Sequence, residues 1–256
     1  MILSVCSTKG SPGVTSAALT LAAAWPRQVL LVEADPSGGV LAYRCASASG
    51  GPLAESPSII GLAAAARSDQ PRVLSDFAQN LACGVPIVQG VTTPAQGRGL
   101  ADLWPAIAGA LRVPDVDVII DVGRLDVADS SMALATASDR VLVAHTPSME
   151  SVIHAREALL EYASSIDSPL TDPRLVPLMI GPARHASNDR RDVDSVFAVS
   201  GLALAPTVHL PLDRAALDRL EAGERADGRL SRTILLRAAV ALAHQLTTTR
   251  TAEVPA

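Results

Sequence analysis

The sequence predicts an α/β protein: a doubly wound, mainly parallel sheet of about seven strands with helices on both faces. Three observations lead there. Short apolar runs alternate with longer stretches of helical periodicity almost from end to end. The short runs are continuously apolar rather than alternating, the pattern of strands buried on both faces. The 256 residues, 48% of them hydrophobic, suffice for one large core, and a single domain over 1–246 is the economical reading.

Each element follows from its own pattern. The strand candidates are Ile2 to Cys6, Val29 to Glu33, Val85 to Val88, Val116 to Asp121, Val141 to Ala144, Leu175 to Ile180 and Thr207 to Leu210. Helical spacing fills the intervals: Thr15 to Trp25, Ile59 to Ala66, Val73 to Ala82, Gly99 to Leu111, Ala128 to Ala137, Met149 to Ser164, Asp192 to Ser200 and Arg214 to Ala222. The last helix, Ser231 to Leu246, repeats Ile234, Leu235, Ala238, Leu242 and Leu246 as a stripe that packs on the sheet. Ser37 to Pro57, rich in Gly, Ser, Ala and Pro, reads as a long functional loop. The polar stretch Thr247 to Ala256 reads as a flexible tail.

Composition excludes several classes of function. Aromatic residues are only 2% of the chain, too few for nucleic-acid readers that stack bases on aromatic platforms. Three widely spaced cysteines, Cys6, Cys45 and Cys83, fit buried thiols and neither a disulfide framework nor a zinc site. With no signal-peptide pattern and no apolar run of bilayer length, a cytoplasmic protein without direct membrane insertion is expected. The five histidines show no metal spacing, and neither G-x-S-x-G nor G-x-G-x-x-G occurs, which argues against a conventional hydrolase or oxidoreductase. One further oddity is that Lys9 is the only lysine among 21 basic residues.

Lys9 stands in Ser7-Thr8-Lys9-Gly10-Ser11-Pro12-Gly13-Val14-Thr15-Ser16, between the first strand and the first helix. Glycines there permit unusual backbone angles, and N–H groups at a helix start converge on an anion, so the context suits phosphate. The standard pattern G-x-x-x-x-G-K-[ST] is not matched, because Thr8 stands at its first glycine and Val14 at its lysine.

The loop resembles the deviant P-loop of the MinD/ParA ATPases, K-G-G-x-G-K-[ST]. Lys9 falls on the signature lysine, Gly10 and Gly13 on glycines and Thr15 on the magnesium-binding hydroxyl, while Ser11 replaces a glycine and Val14 the second lysine. Val29 to Pro36 resembles the family's V-L-L-[IV]-D-x-D strand, with Asp35 at its acidic position and Glu33 where Asp is usual. Val118 to Gly123 resembles a Walker B strand ending in Asp121, with Gly123 as the pivot of the second switch. Val141 to Pro147 resembles the following strand, and Val208 to Asp213 the late loop that covers adenine. The likeness runs through almost the whole chain and is thinnest between Gly50 and Ala95.

The resemblance implies ATP and Mg2+ as ligands. Gly10, Ser11, Pro12, Gly13, Val14, Thr15, Ser16 and Pro211 would bind nucleotide, Thr15 and Asp121 would hold magnesium, and Lys9 and Asp35 would be the catalytic pair. It also implies a nucleotide-dependent homodimer, entered by Lys9 in trans, acting as a spatial regulator of the CpaE/TadZ kind toward a protein client. A charge-assisted hydrogen bond of the missing lysine is worth about 1.5 to 3 kcal/mol, so Val14 implies roughly 10- to 100-fold weaker binding and slow or absent hydrolysis. Arg124 and Arg98 are candidates to supply the missing charge. No Asn stands in Leu178 to Arg184 to read adenine; Arg184 to Asp192 could offer Asn188 or Arg side chains to a base, but reads better as a solvated loop leading into a capped helix.

Two other functions compete: a scaffold that keeps the fold without the chemistry, and a DNA-partitioning ATPase. The acidic net charge of −5 and the interleaving of Arg214, Arg219, Arg225, Arg229, Arg232 and Arg237 with carboxylates disfavour DNA.

Overall fold

The computed structural model describes residues 1–9, 13–68, 73–165, 174–202 and 204–248. Its centre is one eight-stranded sheet in the order β3-β4-β2-β5-β1-β6-β7-β8, built from β1 (Ile2–Ser7), β2 (Val29–Glu33), β3 (Gln79–Asn80), β4 (Pro86–Val88), β5 (Asp117–Arg124), β6 (Arg140–His145), β7 (Leu175–Gly181) and β8 (Val208–Pro211). Every pairing is parallel except that of the edge strand β3 with β4. The expected doubly wound sheet is present, with one short antiparallel strand added.

The helices are α1 (Val14–Ala23), α2 (Leu41–Arg44), α3 (Ile59–Ala66), α4 (Pro94–Gly99), α5 (Trp104–Ala110), α6 (Met132–Thr136), α7 (Met149–Ser165), α8 (Ala186–Val199), α9 (Arg214–Glu221) and α10 (Ile234–Thr248). Strand side chains alternate between two cores. Leu3, Val5, Leu31, Ile119 and Leu142 pack beneath α1, α9 and α10. Ile2, Leu30, Val32, Val118, Ile120 and Val143 face α3, α5, α6, α7 and α8. Because both faces are covered, the strands carry no polar alternation, which is why they are legible as continuous apolar runs. Cys6, Cys45 and Cys83 are buried free thiols, as expected. No helix among the described residues is long and apolar enough to cross a membrane.

Several expectations need correcting. Val73 to Ala82, read as a helix, is a 3-10 turn over Leu74–Phe77 followed by β3. Gln79 and Asn80 pair with Ile87 and Pro86, and Gly84 at φ 90 makes the turn between them, so a sheet edge outcompetes helical spacing. The Gln79 side chain also grips the long loop, accepting from Ala54 N–H at 2.9 Å and donating to the Ala54 carbonyl at 2.8 Å. Gly99 to Leu111 is not continuous: α4 ends at Gly99, and α5 restarts at Trp104 with Pro105 in its first turn. α8 begins at Ala186, ahead of the expected Asp192, and its polar first turns face water and so carry no apolar period. Within the long loop, Leu41–Arg44 forms the unanticipated α2. At the other end of the chain α10 runs through Thr248, and the rest of the tail lies outside the described residues.

At the amino end of the sheet Asp117 organises the layer. Its carboxylate accepts the Trp25 indole N–H at 2.9 Å and pairs with the Met1 amine and Arg27, each at 2.7 Å. Burial pushes this carboxyl up, but the amine, the indole and the Arg27 charge outweigh it and hold the group below the ordinary carboxylate value. A carboxylate depressed on folding contributes stability above its unfolded value and loses it as the pH falls through the folded one. Asp117→Asn is therefore expected to lower the unfolding free energy at neutral pH, with the deficit closing as pH drops below about 4 in urea titrations.

Candidate functional site

The chain order along the sheet reverses at β1. Connections from β1 lead toward β2 on one side, while β5 crosses over β1 to β6 on the other. The carboxyl ends of strands at such a switch point leave a crevice between diverging loops. Lys9, Thr15, Asp35 and Asp121 lie on the segments that end or follow β1, β2 and β5, so one sheet edge gathers residues far apart in the chain.

Gly13 caps α1 at φ 96 and ψ 38, a left-handed conformation suited to glycine, and its carbonyl accepts from Ala17 N–H at 2.9 Å. Gly10, Ser11 and Pro12, expected to cradle phosphate, lie outside the described residues. Lys9 is exposed and has no ion pair among the described residues. Val14 is 5% exposed and joins the core under α1, α9 and α10. At the position that the resemblance aligns with a P-loop lysine, this chain has a packed apolar side chain.

Three carboxylates occupy the ends of β2 and β5, each held differently. Glu33 is 1% exposed and accepts the Val40 and Leu41 N–H groups at 2.9 Å and that of Gly90 at 3.3 Å. Burial raises its pKa, with the Asp35 charge adding to the rise and those three amides opposing it. Glu33 thus closes the loop after β2, a role for which the longer side chain is suited. Asp35 accepts Ser37 N–H at 2.8 Å in an Asx turn and remains partly exposed. Asp121, 2% exposed, is pushed up to about 7 by burial and by the charges of Glu33 and Asp35, against the Thr15 hydroxyl and the Gly123 N–H at 3.1 Å.

A bulge follows Asp121. In the register with β1, Val5 faces Asp121 while Cys6 faces Gly123, so Val122 is the extra residue. Gly123 has φ 75, and a Cβ there would lie 2.3 Å from the Asp35 carboxyl. The bulge and the glycine let β5 bring Asp121 and Asp35 to one place.

Beside these groups lies a cleft of about 250 Å3 between α1 and the segment joining β8 to α9. Gly13, Ser16 and Thr20 line one wall, and Pro211, Leu212 and Leu217 the other. Its lining is mainly apolar, the character of a pocket for a flat organic ring. Of the expected site residues, Gly13, Ser16 and Pro211 meet in this cleft, and Thr15 and Asp121 meet beside it. Asn188 does not reach it: it sits on α8 bonded to Arg191 of the same helix. Sequence reasoning missed Arg44, whose guanidinium donates to Ser16 Oγ at 2.8 Å and pairs with Glu221. No motif marks it, because it comes from inside the long loop.

No family model matches the chain, and no curated protein matches it. Solved structures do match. A ParA family ATPase from Chlorobium tepidum superposes with a TM-score of 0.70 at 15% identity, covering 95% of this chain and 98% of that one. The septum site-determining protein MinD complexed with Mg-ADP, from Pyrococcus horikoshii, gives 0.70 at 16% identity over 98% and 97%. A Cyanothece McdA variant in complex with ATP gives 0.60 at 14% identity over 95% and 96%. The chain has the P-loop NTPase fold. Within that class its architecture is that of the MinD, ParA and McdA ATPases.

Gly123→Ala is expected to cost about 1–3 kcal/mol from the positive φ and the overlap with Asp35. Thermal melts would register the loss, and amide exchange at Ser37 would register release of the Asp35 turn; an unchanged melt would contradict this account of the bulge.

Proposed function

We propose that this chain is an ATP-binding, dimerising switch of the MinD/ParA type that hydrolyses slowly or not at all and positions a protein client. The observation that carries the reading is the meeting of Thr15 with Asp121 beside a ring-sized cleft that ends at Pro211, at the switch point of the sheet. A hydroxyl, one buried carboxylate and phosphate oxygens are a donor set that suits Mg2+, which keeps much of its water and takes few protein ligands. Thr15 and Asp121 would hold the ion, which would neutralise phosphate charge. The β8–α9 segment at Pro211 and Leu212 would cover the base. Neighbours of this fold carry Mg-ADP in one case and ATP in another, which supports the ligand class.

Lys9, exposed and without an ion pair among the described residues, is free to enter a partner's site, as a dimer of this type requires. Val14 favours weak turnover, because the charge normally spent on the transition state is missing from that position. The same burial of Val14 supports a second reading, a scaffold in which the fold outlives its chemistry. DNA binding gains nothing: Arg214, Arg219 and Arg225 are engaged with Asp218, Glu224 and Asp227.

Light scattering of the purified protein with Mg-ATP and with Mg-ADP tests the switch. ATP alone is expected to double the mass, and Lys9→Ala to abolish the doubling while leaving ADP affinity within about twofold. Val14→Lys is expected to tighten binding by roughly 10- to 100-fold. A wild-type protein that binds neither nucleotide supports the scaffold instead.

A further inference from the structure

Arg44 raises a question that the fold alone does not answer. It is the last residue of α2, a single turn emerging from the long loop after β2, yet its side chain extends inward to the start of α1. One nitrogen, Nη2, donates both to Ser16 Oγ and to a carboxylate oxygen of Glu221, the final residue of α9. The Arg44 side chain retains only 27% of its exposure, and that of Glu221 10%. Two elements that form opposite walls of the cleft are therefore joined by one cation and one anion.

Ser16 defines what lies nearby. It lines the cleft together with Gly13, Pro211 and Leu212, one residue beyond Thr15. Arg44 thus holds a hydroxyl of the cleft wall, which puts its guanidinium next to whatever anion enters along Ser16. The other basic side chains are placed differently. Arg98 and Arg124 are exposed, as is Lys9, and Arg214 lines the cleft, paired with Asp218 at 2.8 Å. Val14 contributes no charge.

We propose that Arg44 supplies within its own subunit the positive charge that Val14 lacks, with Glu221 as its resting counter-ion and the inner phosphate of a bound nucleotide as the anion that displaces Glu221. The proposal rests on the nucleotide-binding reading above. Guanidinium geometry favours the exchange, since its planar fork accommodates a phosphate as readily as a carboxylate. In the free protein the ion pair holds Arg44 in place. With nucleotide bound, the charge is used on the ligand, and the link between α2 and α9 loosens. Nucleotide occupancy is thereby relayed to α9 and to the neighbouring exposed side chains Val40 and Tyr43.

The two partners make the proposal separable from a merely structural strap. If the pair only braces α1 against α9, removing either side chain breaks the same brace and shifts nucleotide affinity in the same direction. If Arg44 serves the phosphate and Glu221 competes for it, the shifts have opposite signs. Mg-ADP binding by calorimetry is measured for the wild type, Arg44→Ala, Arg44→Lys and Glu221→Gln, with a thermal melt of each. Arg44→Ala is expected to weaken binding about 10- to 100-fold. Arg44→Lys should recover part of the loss, and Glu221→Gln should tighten binding several-fold. Equal-direction shifts, or ADP affinity in folded Arg44→Ala matching the wild type, would overturn the assignment while leaving the nucleotide reading intact. A wild-type protein with no affinity for Mg-ADP or Mg-ATP would overturn both.

Discussion

Three carboxylates crowded at the carboxyl end of the sheet set the terms for the rest of this molecule. Glu33, Asp35 and Asp121 close two adjacent parallel strands and their loops, and burial first, then the charge of Asp35, raises the cost of ionising both of the others. None has an ion-pair partner among the described residues. The chain supports them with backbone amides: three for Glu33, one for Asp35 and one for Asp121. Amides satisfy lone pairs without cancelling charge, which leaves this edge of the sheet suited to a cation and its phosphates.

The loops reach these carboxylates because the backbone closes tightly around them. A Cβ on Gly97 would stand 2.1 Å from the Pro36 carbonyl, so α4 seats directly on the turn after Asp35. Gly123 does the same for the Asp35 side chain itself. Such approaches involve two segments distant in sequence and depend on a missing side chain, so the turn after β2 and the bulge of β5 are one construction.

Much of this was legible beforehand. The central strands announced themselves because burial on both faces leaves only apolar residues, and Thr15, Asp35 and Asp121 stood out because the segments around them resemble MinD/ParA motifs. Less was legible where local pattern and tertiary pairing disagree. Val73 to Ala82 has apolar residues at helical spacing, but β4 offers an edge, and two residues of it suffice to draw Gln79 and Asn80 into the sheet. The first turns of α8 are polar because they face water, and a polar stretch without period reads as loop. Arg44 was invisible for a stronger reason: nothing in a Gly- and Ser-rich loop states which helix its side chain will reach.

The sequence by itself determined the layers and the absence of charge at position 14, since each depends on residue type and on neighbours along the chain. Only the tertiary structure decided which cation reaches Ser16 on the cleft wall and which anion holds it there. Ser16, Arg44 and Glu221 come from α1, α2 and α9, the last two 177 positions apart, and meet only after the sheet has set the walls of the cleft. Side-chain reach is a matter of a few ångströms in space, and chain separation carries no record of it.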